Sequence, residues 1–182
     1  MIVGLAIIMP RGLGAARVAA SAKRSPTIPW SRKIILILLA AAPSSLMLGV
    51  TAHVSTDVAS APFLWVAPLA LYLLTFVIAF QAKPWIPLPV TLVLQATFTI
   101  MVVALVGMTT GQWLMLLGLH LLAFFFTTLM CHQQLAARRP APDRLTEFYL
   151  LMSLGGVLGG AFTALLAPVL FETVLELSLI HI

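Results

Sequence analysis

Residues 145–171 read LTEFYLLMSLGGVLGGAFTALLAPVLF, and after Glu147 no charge follows until Glu172. A helix needs about 20 apolar residues to cross a bilayer's hydrocarbon core, and this stretch supplies them. Its middle holds two overlapping small-xxx-small pairs, Gly155/Gly159 and Gly156/Gly160. In water such glycines weaken a helix; in lipid they let a neighbouring helix approach closely. Ser153 and Ala164 extend the Gly156/Gly160 face. The expectation is a packed transmembrane helix.

The rest of the chain agrees. Charged residues make up 8% of the 182 and hydrophobic ones 62%. A soluble domain carries about 25% charged residues, so the composition excludes an ordinary soluble globule. The fold class expected is all-α, a bundle of about five transmembrane helices. Helix one spans about 34–53, with Pro43-Ser44-Ser45 as a kink, and helix two about 62–81, with Pro68 as a second. Helix three spans about 86–108, helix four about 113–135 and helix five 145–171. Residues 1–33 read as a flexible basic segment ending at Trp30, a residue suited to the membrane interface. Residues 34–177 form the membrane domain.

The basic residues settle orientation. Arg11, Arg17, Lys23, Arg24, Arg32 and Lys33 precede helix one, Lys83 lies between two and three, and Arg138, Arg139 and Arg144 lie between four and five. With alternating spans, all of them fall on one face. The positive-inside rule therefore places the N-terminus in the cytoplasm. The net charge of +5 is explained by this clustering at helix ends and gives no reason to expect nucleic acid. The lone Cys131 cannot form an internal disulfide.

Ionisable groups near lipid are the candidates for function. His53 and Asp57 lie four apart and would share a helix face. They read either as a pair able to hold a proton or orient an amine, or as solvated loop residues. His120 lies two turns inside helix four and should face the bundle, as a polar lining group or as an interhelical hydrogen bond. His132 follows Cys131 near the cytoplasmic end. His120 and His132 stand about 18 Å apart along a helix, too far to share a metal ion, and Cys131 and His132 point to different sides. No metal and no cofactor is expected. Glu147 sits in the first turn of helix five, where a carboxylate suits the helix dipole, with Asp143 or Thr146 as the helix cap. It is expected to pair with His132 or Arg144. Gly155-Gly156-Val157-Leu158-Gly159-Gly160 follows no strand, so it reads as helix packing and not as a nucleotide loop. No catalytic motif is present, and the chain itself is expected to catalyse nothing.

Two stretches carry a resemblance. Ala41–Phe80, from Ser44-Ser45 through Thr56-Asp57 to Pro62 and Trp65, is one. The other is His132 through Leu145-Thr146 and Phe148-Tyr149-Leu150 to Gly160 and Pro168. Together they resemble the membrane region of bacterial spermidine-synthase-like fusion proteins, over roughly Ile34 to Leu177. The resemblance implies a bacterial inner membrane location. It also implies a cytosolic aminopropyltransferase- or methyltransferase-like domain that these residues do not contain. The expected partners are the lipid bilayer, further helices and that domain. A secondary transporter with an intramembrane polar path, and a purely structural scaffold, are the alternative readings. The odd helix count suggests part of a larger bundle. Residues 178–182 (SLIHI) read either as adaptor read-through or as a genuine end.

Overall fold

The computed structural model describes residues 26–57, 66–83, 85–105 and 113–169, without the side chains of residues 53–57 and 113. Among the described residues five helices carry the fold: α1 Trp30–Asp57, α2 Val66–Ala79, α3 Leu88–Leu105, α4 Trp113–Ala137 and α5 Leu145–Ala161. No strand occurs among the described residues. Among the described residues four helical segments are long and apolar enough to cross a membrane: Trp30–Ala52, Leu88–Leu105, Leu114–Ala137 and Pro142–Val169. The chain is an all-α, multi-pass membrane protein. Described residues of α2 number 14. The four residues expected to begin this helix, 62–65, lie outside the described set, as do residues 1–25 and the 178–182 tail.

The helix starts follow local chemistry. α1 begins at Trp30, four residues before the apolar run, because Pro29 is preset for a helix start and its carbonyl accepts the N–H groups of Arg32 and Lys33. Arg32 and Lys33 remain compatible with the membrane because long basic side chains reach out to the headgroups. α5 begins at the predicted Leu145, but neither Asp143 nor Thr146 occupies its cap. A 3-10 turn, Pro142–Arg144, feeds the helix, and Arg144 holds the cap position without a side-chain cap bond.

The prolines behave differently from one another. α1 is continuous through Pro43, which is fully buried. Pro68 is buried in the first described turn of α2, and residues 58–65 before it lie outside the described set. Pro168 has the largest effect. A helical proline collides with the carbonyl four residues earlier, here Ala164. That residue lies in a π-helical turn, Phe162–Leu166, in which the Ala167 N–H reaches back to Phe162 O. The widened turn gives the proline ring its room.

α5 packs along α1, and α4 sits centrally against α1, α2 and α3. An ion pair between Lys33 and Glu147 brings the first turns of α1 and α5 to the same end of the bundle. A small core of Leu36, Ala40, Leu135 and Phe148 joins α1, α4 and α5, with Leu39, Phe80, Leu151 and Met152 around it. Phe98 of α3 stacks on Phe126 of α4, ring centres 5.4 Å apart. Large apolar side chains such as Val93, Ile100, Val103, Leu150 and Val157 point outward, as lipid-facing residues do. Thr75, Thr91, Thr128 and His132 are buried instead.

Candidate functional site: a buried polar cluster

Tyr72, Thr75 and Phe76 of α2 stand at i, i+3 and i+4, so they share one helix face. Thr128 and His132 of α4 are likewise four apart. The two faces meet. The Thr75 hydroxyl lies 3.1 Å from His132 Nδ1 and 2.7 Å from the Tyr72 carbonyl. A hydroxyl has one proton. With that proton on the Tyr72 carbonyl, Nδ1–H of His132 donates to Thr75, and Nε2 is the remaining nitrogen. The imidazole is wedged between two rings, edge to face: Tyr72 and Phe76, each with its centre 5.1 Å away.

The cluster continues across the bundle. The Tyr72 hydroxyl lies 3.4 Å from Ser44 Oγ on α1. Its neighbour Ser45 bonds Thr163 of α5 at 2.7 Å, and Thr163 also approaches the Ser45 carbonyl at 3.1 Å. The serines after Pro43 thus bond sideways to α2 and α5. His132 lies five residues before the last residue of α4, and Ser44 fourteen residues after the first of α1. At 1.5 Å per residue those distances are about 8 and 21 Å, so the polar side chains step inward along the bundle. Nearby, Gln133 Nε2 donates to Ile86 O at 2.8 Å. Among the described residues, three buried oxygens are without a hydrogen-bond partner: Thr128 Oγ1, Gln133 Oε1 and Gln81 Oε1. Unpaired buried polar atoms are costly; Thr128 and Gln133 lie on α4, and Gln81 two residues past the end of α2.

Glu147 is elsewhere. It bonds Lys33 of α1 at 2.6 Å and Arg144 at 3.3 Å. The expected Arg144 pairing is formed; the His132 pairing is not, because His132 is turned into α2. Lys33 also lies over the Trp30 ring, 5.1 Å from its centre. The result is a clamp between the first turns of α1 and α5.

His120 is half-buried, and its Nδ1 lies 2.7 Å from Leu116 O, one turn back on its own helix. His53 and Asp57 stand on the last described turns of α1, with side chains outside the described set. Cys131 is buried with a free thiol, and no group of three potential metal ligands exists among the described residues.

The four glycines all face α1, but unequally. A Cβ on Gly159 would run into the Ala41 carbonyl, and one on Gly155 into the Ile37 carbonyl. A Cβ on Gly156 would stand 3.5 Å from Ser44 Oγ, and one on Gly160 3.4 Å from Leu48 Cδ1. These are ordinary contacts. Ser153 and Ala164 are exposed, so the small-residue face does not extend to them.

Sequence reasoning singled out His132 and missed Thr75 and Tyr72. Their i, i+3 spacing on an otherwise apolar helix was the available signal. The Lys33–Glu147 pair was also within reach, because each is a charge in the first turn of one of two parallel helices. No protein-family model, curated protein or solved structure matches the chain.

The cluster makes a stability prediction. Thr75→Val removes the acceptor for His132 Nδ1–H. Hydrogen bonds between membrane helices contribute about 0.6 kcal/mol on average and up to about 1.7, and the buried setting favours the upper part of that range. Thr97→Val is the control, since Thr97 is exposed and bonds only its own helix, at Val93 O. Unfolding in mixed micelles should show a loss of about 1 kcal/mol for Thr75→Val and almost none for Thr97→Val. Equal losses would remove the assigned bond.

Proposed function

We propose that the chain is the membrane domain of a spermidine-synthase-like protein of a bacterial inner membrane. In this reading it anchors a cytosolic aminopropyltransferase- or methyltransferase-like domain and delivers substrate to it. The resemblance of Ala41–Phe80 and Leu145–Phe171 supports the family. The observation that carries the anchoring role is the α1–α5 pair. Its helices touch backbone to glycine and are clamped at the cytoplasmic edge by Lys33, Glu147 and Arg144. Such a pair offers a stiff platform on the side where a transferase domain would sit. The test is fractionation of the longer protein. Aminopropyl transfer to putrescine should sediment with membranes, and deleting residues 30–169 should move it to the soluble fraction. Activity that is absent from the longer protein, or that stays on membranes after the deletion, would overturn the reading.

The buried hydroxyl–imidazole cluster favours a second reading, a secondary transporter whose polar path runs through the bundle. Here His132, and not His120, is the residue on the path. In cells dependent on polyamine uptake, His132→Ala would then abolish uptake while the protein stayed in the membrane. Unchanged uptake would leave the anchor.

A further inference from the structure

The cytoplasmic end of the bundle carries a cleft that neither reading uses. Ile28 is buried, with 8% exposure, and residues 26–29 face the connector between α4 and α5. Between them opens a cleft of about 450 Å³. Its walls are Pro26–Pro29 on one side and Pro140–Ala141 on the other, and Arg32 and Arg144 supply the charge. The volume falls within the usual range for small-molecule sites, about 300–1,000 Å³. Three prolines in the walls hold the backbone in place without a ligand.

The depth of the cleft identifies its occupant. Trp30, with 78% exposure, and the Lys33 ammonium over its ring mark the level where an aromatic ring meets headgroups. Arg32 is two residues from Trp30 in the same helical turn. Arginine's planar fork matches phosphate oxygens in pairs, and a basic pocket between helices on the cytoplasmic side suits an anionic headgroup. Among the described residues, no carboxylate lines the cleft. Glu147, the acid in the first turn of α5, is already engaged by Lys33 and Arg144.

We propose that this cleft binds the phosphate headgroup of an anionic glycerophospholipid, held between Arg32 and Arg144, and that the lipid ties the segment before α1 to the α4–α5 connector. A free phosphate ion shares the chemistry but not the acyl chains that would bring the headgroup to this depth.

Native mass spectrometry of the full chain released from mixed-lipid micelles tests this. The unmodified chain should retain phosphatidylglycerol at least about fivefold over phosphatidylcholine, as expected of a basic headgroup pocket. Arg32→Gln should remove most of that preference, while Lys83→Gln, a cation on the same face outside the cleft, should leave it unchanged. Equal retention of the two lipids by the unmodified chain would overturn the proposal without any variant. An equal loss in both variants would do so too, since it would show diffuse attraction to the basic face. Inorganic phosphate at millimolar concentration should leave the melting temperature of the delipidated chain unchanged; a rise abolished by Arg32→Gln would assign the cleft to free phosphate instead.

Discussion

Replacing Gly159 with leucine should unfold the α1–α5 pair, whereas replacing Gly156 with alanine should be nearly silent. Both glycines belong to a small-xxx-small pair on one helix, and both are near α1. The difference lies in what a side chain would meet. At Gly159 the carbonyl, carbonyl carbon and Cα of Ala41 fill the space, and backbone cannot rotate aside as a side chain can. Gly155 has the same problem at Ile37 O, with Ala40 Cβ 2.8 Å from the added carbon. Restoring van der Waals distances requires the helices to separate, and that releases the core of Leu36, Ala40 and Phe148 and the Ser45–Thr163 bond. Overpacking a tight contact costs about 1–3 kcal/mol, and here one contact's strain is added to the loss of the others. Gly159→Ala should cost at least about 2 kcal/mol in micelle unfolding, and Gly159→Leu should leave no cooperative transition. Gly156→Ala meets only Ser44 Oγ at ordinary distance and should stay within about 0.5 kcal/mol. If the two alanine variants unfold alike, the helix contact is not at Gly155/Gly159.

That contrast shows why some features were legible in the sequence and others were not. Element types were plain, because few elements other than a transmembrane helix hold twenty apolar residues in a row. The start of α5 was plain, because charge stops there. The start of α1 was not. Arg32 and Lys33 look like loop, yet their stems lie along the helix while their heads reach water or Glu147. Faces were harder still. In a soluble helix the polar side marks the outside, but here lipid and core are both apolar. Lipid-facing Val157 and core-facing Phe148 are both strongly apolar. The two glycine pairs have the same spacing, one residue apart, so periodicity fits both. Only the backbone of α1 separates them. The His132 site failed for a related reason. A histidine suggests metal or charge, and threonine in an apolar helix suggests nothing, since it can bond its own preceding turn. Thr97 does so, while Thr75 also lies within bonding distance of another helix.

Phe148→Ala should destabilise the bundle by about 2 kcal/mol, and Tyr149→Ala, its chain neighbour, by less than about 0.5. The first turn of α5, beside the basic connector, is the natural place to look for contact with another domain. Phe148 is not available for that. It is fully buried, packed with Leu36, Ala40 and Leu135. In a soluble core Phe→Ala costs about 3–5 kcal/mol, part of it the transfer of the ring back to water. In a bilayer the unfolded helix keeps that ring in an apolar medium, so the transfer part largely disappears. What remains is the cavity and the dispersion attraction that its lining forfeits. Tyr149 is 42% exposed, and its removal leaves no cavity in the α1–α4–α5 core. The two variants therefore separate fold from docking. Loss of a cytosolic partner in Tyr149→Ala with a normal unfolding midpoint would assign that turn to an interface. A stability loss of the soluble size in Phe148→Ala would mean that the unfolded state of α5 leaves the membrane, and the two-stage picture of preformed helices would not hold for this chain.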